Sequence, residues 1–121
     1  MSTNNPSNLA RKKCQPCEGG VTALNRTEAE KLLAQVPGWS ITPDGKTLRR
    51  TWRVKDFSTA LGFFQKIGDI AEKEDHHPDL HLTGYRNVAV ELSTHAIGGL
   101  SENDFILAAK INEVPVELKE G

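Results

Sequence analysis

The sequence predicts an α+β fold, in which three helices pack on one face of a four-stranded antiparallel sheet, in the order α-β-β-α-β-β-α. Apolar residues recur with helical spacing in three segments and alternate with polar residues in four others. The helical segments are 27–36, 56–75 and 101–111, and the alternating segments are 39–42, 47–54, 80–83 and 86–95. Short turns separate the two strands of each pair, which favours antiparallel pairing.

The ends of the first two helices are marked in the sequence. Thr27-Glu28-Ala29-Glu30 fits a capping box, and Pro37-Gly38 ends the first helix. Asp56 is an N-cap for the second helix, which must end near residue 75 or 76 because Pro78 keeps the preceding residue out of helical geometry. The expected core stripe of this helix is Phe57, Ala60, Leu61, Phe64, Ile67 and Ala71.

The second strand and the last helix indicate what the core contains. In that strand Leu48, Trp52 and Val54 fall on one face, which Arg50 interrupts. Residues 101–104 open the last helix by capping chemistry. This helix is apolar nearly all round, which predicts burial on both sides. In a chain this small, we expect a second subunit to cover one of those sides.

Length and composition favour one globular domain over residues 21–121, after a flexible polar tail over residues 1–20. The net charge is -1, which gives no reason to expect direct nucleic-acid binding. No apolar stretch reaches the length of a membrane span, and no hydrophobic N-terminal signal is present, so we expect a cytoplasmic protein. Cys14 and Cys17 form one Cys-x-x-Cys, without the second pair that structural zinc requires.

The functional signal is a cluster of histidines. His76, His77 and His81 lie together in a stretch rich in carboxylates, and His95 ends the last strand. Histidine suits both proton transfer and metal binding near neutral pH. Metal binding, with Asp75 or Asp79 as a carboxylate ligand, is the weaker hypothesis. Adjacent histidines point apart, and the spacing that places two histidines on one helical face is absent.

Acid–base chemistry suits the cluster better, because carboxylates at the end of the helix, Glu72 and Asp75, can orient imidazoles there. His95 could reach the same cleft, and no nucleophile motif accompanies these residues. Each of these residues, considered alone, also fits an ordinary structural role. His77 and His95 fit structural histidines, and His81 fits an exposed strand residue. Residues 72–74 fit a solvated last turn, Trp39 fits a core or lid position, and Asp104 complements the helix dipole.

Several stretches together carry a resemblance to a known family. Glu72-Lys73-Glu74-Asp75-His76-His77-Pro78 is followed by Tyr85-Arg86-Asn87-Val88-Ala89-Val90-Glu91-Leu92-Ser93-Thr94-His95 and by Gly99-Leu100-Ser101-Glu102-Asn103-Asp104. With Pro37-Gly38-Trp39 and Val54-Lys55-Asp56-Phe57, they resemble the signature of the pterin-4a-carbinolamine dehydratases (4a-hydroxytetrahydrobiopterin dehydratases). The resemblance extends over residues 22 to 114.

The resemblance implies dehydration of 4a-hydroxytetrahydropterin to quinonoid dihydropterin and water, in tetrahydrobiopterin recycling, without a metal or cofactor. It implies that His76 and His95 transfer protons, and that His77 positions the pterin and assists the transfer. The substrate-binding or orienting residues that it implies are Glu72, Asp75, Pro78, Trp39 and Asp104. Trp39 and Asp104 are expected at the margins of the pocket.

The resemblance also implies a homodimer or homotetramer, and it leaves an alternative function open. Relatives on the same fold act as non-catalytic binding modules, either as dimerisation cofactors of a transcription factor or as protein-assembly factors. We favour the enzyme because every acid–base residue is present, and a pure scaffold has no physical need for them.

Overall fold

The computed structural model of the chain describes residues 7–14 and 23–120. Its helices are α1 (Ser7–Ala10), α2 (Arg26–Leu33), α3 (Phe57–Glu74) and α4 (Glu102–Asn112), and its strands are β1 (Ser40–Ile41), β2 (Leu48–Arg53), β3 (Asp79–Thr83) and β4 (Asn87–Leu92). A 3-10 turn, His95–Ile97, lies between β4 and α4. From α2 onward the order is α-β-β-α-β-β-α, so the predicted α+β fold is confirmed.

The four strands form one antiparallel sheet in the order β1-β2-β4-β3. β2 and β4 pair at its centre, where Trp52 lies opposite Val88 and Leu48 lies opposite Leu92. These four side chains are buried with residues of the helices, as the alternation in both strands predicts. The other face of the sheet carries mainly polar side chains. The core therefore lies between one sheet face and the helices.

Side chains cap the starts of α2 and α3. Asn25 Oδ1 accepts a hydrogen bond from the Glu28 N–H at 2.8 Å, and Glu28 Oε1 accepts one from the Asn25 N–H at 3.0 Å. The capping box of α2 therefore begins at Asn25, earlier than the predicted Thr27. Asp56 caps α3 as predicted, and hydrogen bonds from the Thr59 side chain and backbone hold the pKa of its carboxyl below the usual value.

The apolar stripe predicted for α3 is partly wrong. The buried apolar residues of this helix are Ala60, Phe63, Ile67 and Ala71. Phe57 and Leu61 leave 51% and 49% of their surfaces exposed, and Phe64 is only partly buried. Two apolar stripes with the same spacing overlap on α3, and periodicity cannot decide which of them faces the sheet.

α4 is buried almost throughout, but within this chain. All of residues 103–109 and Ile111 are buried, and α4 contacts α1, α2 and α3. The expectation that a second subunit covers one side of α4 is therefore wrong, because the other helices of the same chain cover it. Within the ranges 7–14 and 23–120, no helix is both long enough and apolar enough to cross a membrane.

The N-terminal segment differs from the predicted flexible tail over residues 7–14. Leu9 and Ala10 are buried in the core, where α1 packs against α4. The polar composition of the tail concealed this apolar pair, whose burial depends on a helix at the other end of the chain. The rest of the predicted tail, residues 1–6 and 15–20, and the predicted domain boundary at residue 21 lie outside the described residues.

A polar cluster at the C-terminal end of α4 explains the arginine on the inner face of β2. Asn112 Oδ1 accepts hydrogen bonds from Trp39 Nε1 at 2.8 Å and from Arg50 Nη1 at 2.6 Å. Asn112 Nδ2 donates to the Pro37 carbonyl at 3.0 Å. The Arg50 guanidinium lies 4.6 Å from the centre of the Trp52 ring, and its partial burial lowers its pKa. Arg50 thus stays in the inner layer with Nη1 bonded to Asn112 and its guanidinium packed on the Trp52 ring.

Gly38 offers a test of this cluster. Its φ of +92° is costly for a residue with a side chain, and an added Cβ would lie 2.7 Å from Arg50 Cζ. Gly38→Ala should lower the free energy of unfolding by about 1–3 kcal/mol in urea titrations, since Arg50 must leave Asn112 and Trp52. Gly45→Ala is the control, with a φ of +74° and no atom within 4 Å of the added Cβ. Equal losses in the two variants would contradict the steric argument.

Candidate active site

A cavity of about 720 Å³ lies where α3 ends, beside the connection from β4 to α4. This volume falls within the range of small-molecule binding sites. The cavity is lined by residues 13–14, 73–77, 93–96 and Asn103. It therefore brings together His76, His77 and His95, the three histidines that the sequence analysis placed in one site.

The end of α3 sends its two adjacent histidines into different environments. Asp75 adopts left-handed backbone geometry, with φ of 54°, and the N–H groups of Asp75 and His76 both bond to the Ala71 carbonyl. The His76 side chain then leaves only 12% of its surface exposed, whereas that of His77 leaves 57% exposed. Pro78 follows in the extended segment that leads into β3, as predicted.

His76 is held by Asp104, a fully buried carboxylate in the first turn of α4. His76 Nε2 lies 2.6 Å from Asp104 Oδ1. Asp104 Oδ2 accepts hydrogen bonds from the Thr94 hydroxyl at 2.8 Å and from the Ser101 N–H at 3.0 Å. The Thr94 hydroxyl also lies 2.8 Å from the Ser101 hydroxyl. The carboxylate thus caps α4 and fixes the His76 ring at the same time.

These contacts determine which nitrogen of His76 is available. An ionised carboxylate only accepts hydrogen bonds, so Nε2 carries the proton toward Asp104. Nδ1 is then the ring nitrogen left for proton exchange with a bound molecule. With the Thr94 hydroxyl donating to Asp104, the Ser101 hydroxyl donates to Thr94. Both carboxylate oxygens of Asp104 and the hydroxyls of Thr94 and Ser101 therefore have partners in this buried network.

The other two histidines of the cavity are less constrained. His77 Nε2 lies 2.6 Å from Glu72 Oε2, so Glu72 contacts one of the imidazoles near the end of α3. Both side chains are mostly exposed, so this pair orients the ring with little effect on stability. His95 begins the 3-10 turn after β4 and is exposed. It lines the cavity from the connection between β4 and α4, whereas His76 and His77 line it from the end of α3.

Some predicted site residues lie elsewhere or have another role. Trp39 is a core residue bonded to Asn112, at the end of α4 away from Asp104, so it is not at the margin of the cavity. Asp75 lines the cavity but is the exposed C-cap of α3, and Asp104 orients His76 in its place. His81 lies on the polar face of the sheet, 3.2 Å from Glu91.

The sequence analysis also raised a metal site and the Cys14-x-x-Cys17 pair. Among residues 7–14 and 23–120, no three His, Cys, Asp or Glu side chains form a group suited to hold a metal ion. Cys14 lines the cavity, and Cys17 lies outside the described residues.

Sequence reasoning missed the hydroxyls of Thr94 and Ser101 and the burial of Glu74. The spacing of Ser101 and Asp104 is that of a capping box, so it marks a helix start, but it does not reveal the contact with His76. Glu74 is only 8% exposed rather than part of a solvated turn, and no local pattern indicates this. Each of these roles depends on a partner distant in sequence.

Removing the Asp104 carboxylate should destabilise the fold. Asp104→Ala leaves His76, the Thr94 hydroxyl and the Ser101 N–H without an acceptor, which should cost about 2–4 kcal/mol in urea unfolding. Asp104→Asn keeps one acceptor and should cost less. The matched control is Glu102→Ala, which removes an exposed carboxylate from the same turn and should change stability by about 1 kcal/mol or less. An Asp104→Ala variant as stable as the control would refute the network.

Comparison with known proteins gives a consistent assignment. The family model described as pterin 4 alpha carbinolamine dehydratase matches residues 22–114. An Arabidopsis thaliana protein named pterin-4-alpha-carbinolamine dehydratase 2, mitochondrial, is 55% identical over 114 residues, which cover 92% of this chain. The chain spans 61% of that relative's length. A Methylococcus capsulatus relative is 47% identical, with 90% of this chain and 95% of the relative aligned.

A solved structure shares the fold. The Brucella melitensis protein described as a transcriptional coactivator/pterin dehydratase superimposes with a TM-score of 0.70 and 36% identity, over 75% of this chain and 96% of its own. The family match covers the sheet, α2 to α4 and all three histidines of the cavity. The chain therefore belongs to the pterin 4 alpha carbinolamine dehydratase family.

Proposed function

We propose that this chain dehydrates 4a-hydroxytetrahydropterin to quinonoid dihydropterin and water, in the recycling of tetrahydrobiopterin. Membership of the family and the name of the Arabidopsis relative support this reaction. One observation carries the mechanism: His76, His77 and His95 line one cavity, and a fully buried carboxylate holds His76.

The reaction needs proton transfer at two positions of the pterin. An acid protonates the hydroxyl at C4a, the C4a–O bond breaks, and water leaves. A base removes the proton from N5, and the C4a–N5 double bond forms. An imidazole can serve either step near neutral pH, because its unperturbed pKa is about 6.5.

We assign the two transfers to His76 and His95, which enter the cavity from different segments of the chain. The bond to Asp104 fixes the His76 ring and leaves Nδ1 for exchange with the substrate. His95 faces the same cavity from the 3-10 turn. His77, which is more exposed and pairs with Glu72, positions the pterin and assists the transfer.

Histidine substitutions test the mechanism. His76→Ala and His95→Ala should each lower kcat/KM for 4a-hydroxypterin dehydration by about 10²–10⁴-fold, the usual contribution of a general acid or base. The control is His81→Ala, which alters a histidine outside the cavity and should retain wild-type turnover within about twofold. Wild-type turnover equal to the uncatalysed background would refute the proposed activity. Full activity in both cavity variants would refute the assignment of roles.

We further propose that the chain forms a homodimer or homotetramer. Support comes from α3, where Phe57 and Leu61 lie about one helical turn apart and are half exposed, which is unusual for large apolar side chains on one helix face. Burying such a face against a second copy would remove apolar surface from water.

Light scattering during size-exclusion chromatography tests the self-association. The wild type should elute at a multiple of the monomer mass, and Phe57→Gln combined with Leu61→Gln should shift it toward the monomer, since two apolar contacts are lost. A double variant in which Lys66→Gln and Gln65→Glu alter polar positions of α3 is the control. A monomeric wild type at micromolar concentration would contradict the proposal, and an unchanged mass in the Phe57 and Leu61 variant would exclude this face.

The second candidate function is a binding module for another protein. The exposed apolar residues of α3 and the description of the Brucella relative as a transcriptional coactivator favour it. The dehydratase assay separates the two functions, because a pure binding module requires no turnover and tolerates loss of His76 and His95. A cytoplasmic location stays a prediction from the sequence.

A further inference from the structure

We propose that residues 9–14 form a wall of the pterin pocket, and that Glu74 is the positioning residue that holds this N-terminal wall in place. The inference rests on the proposed function, since it names a further determinant of the same site. The wall lies outside residues 22–114, so it lies beyond the part of the chain that the family model describes.

The N-terminal wall is fixed at its beginning by apolar and polar contacts with α4. Leu9 and Ala10 are 2% and 8% exposed. Lys110 Nζ donates a hydrogen bond to the Ala10 carbonyl at 2.6 Å. Lys12 Nζ lies 2.7 Å from a carboxylate oxygen of Glu102. The segment thus follows α4 back toward its N-terminus, which is the end that carries Asp104.

Glu74 fixes the far end of the wall. Its Oε1 accepts a hydrogen bond from the Cys14 N–H at 2.9 Å, and its Oε2 lies 3.8 Å from Lys110 Nζ. The Cys14 thiol also donates to the Asn103 carbonyl at 3.7 Å. Glu74 is only 8% exposed, and it is the last residue of α3. Burial and the negative end of the helix dipole both disfavour a carboxylate there, so these two partners account for its position.

The wall reaches the proposed catalytic residues. Lys13 and Cys14 line the same cavity as His76, His77 and His95. Glu74 therefore joins the wall to the last residue of α3, two positions before His76. His76 itself is held separately, by Asp104. Loss of the wall should accordingly weaken substrate binding without displacing the group that transfers the proton, which predicts an effect on KM rather than on kcat.

The experiment compares Glu74→Ala with Glu74→Gln in the full chain. Glu74→Ala removes the acceptor for the Cys14 N–H, and KM for the 4a-hydroxypterin should rise roughly fivefold to tenfold while kcat stays within about twofold. Glu74→Gln keeps an oxygen acceptor and should recover most of the wild-type KM. Hydrogen–deuterium exchange of the peptide containing residues 9–14 should accelerate in Glu74→Ala and much less in Glu74→Gln.

Two further variants complete the test. Glu30→Ala removes an exposed carboxylate of α2 that does not line the cavity, and should leave KM, kcat and exchange unchanged. Lys13→Ala alters an exposed side chain of the wall, so it should fold, and it should raise KM about threefold. If Glu74→Ala does not fold, Lys13→Ala and Glu74→Gln still test the proposal. An unchanged KM in Lys13→Ala would overturn the claim that residues 9–14 form a wall of the pocket.

Failure of this inference differs from failure of the proposed function. An active wild type whose Glu74→Ala variant exchanges rapidly at residues 9–14 but keeps its KM overturns the wall and leaves the dehydratase standing. A wild type without turnover refutes the dehydratase. In that case calorimetric titration with a stable dihydropterin tests the wall directly, with weaker binding in Glu74→Ala supporting it and equal binding overturning it.

Discussion

The burial of α4 is the constraint on which the rest of the structure depends. A helix surrounded by its own chain cannot leave its terminal N–H and C=O groups to water, so both ends need internal partners. At the start, Asp104 accepts the hydrogen bond of the Ser101 N–H. At the opposite end, the Asn112 side chain joins α4 to Trp39 and Arg50. The cap at the start also holds His76. The carboxylate that caps the buried helix therefore also orients a histidine of the candidate site.

Sequence patterns predicted most elements because the information for them is local. Pro78 and the stripe in α3 indicate where that helix ends, and the alternation in β4 indicates which side chains enter the core. The pairing of His76 with Asp104 was beyond local reasoning, because the two residues are 28 positions apart. Phe57 and Leu61 were placed in the core wrongly, since periodicity defines a stripe but not the surface that it faces.

The polar face of the sheet explains why one histidine of the cluster is separate from the others. Strand alternation turns His81 to the face opposite the helices, where Glu91 lies close to it and to Arg49. The ring of His81 is therefore accounted for by a cross-strand contact with the Glu91 carboxylate. His81 is near His76 and His77 in sequence, but it belongs to β3, so strand alternation and not sequence proximity determines where its side chain lies.

The docking of α1 on α4 has a consequence for biosynthesis. Ala10 bonds to Lys110 across 100 positions, and Cys14 bonds to Glu74 across 60. A chain that emerges from the ribosome N-terminus first therefore carries Leu9 and Ala10 exposed until residues 102–112 have been made. His76, which follows α3, emerges earlier, without the Asp104 carboxylate that orients it. An incomplete chain that lacks α4 contains the imidazoles but not the assembled cavity, so the site can form only after α4 has been made.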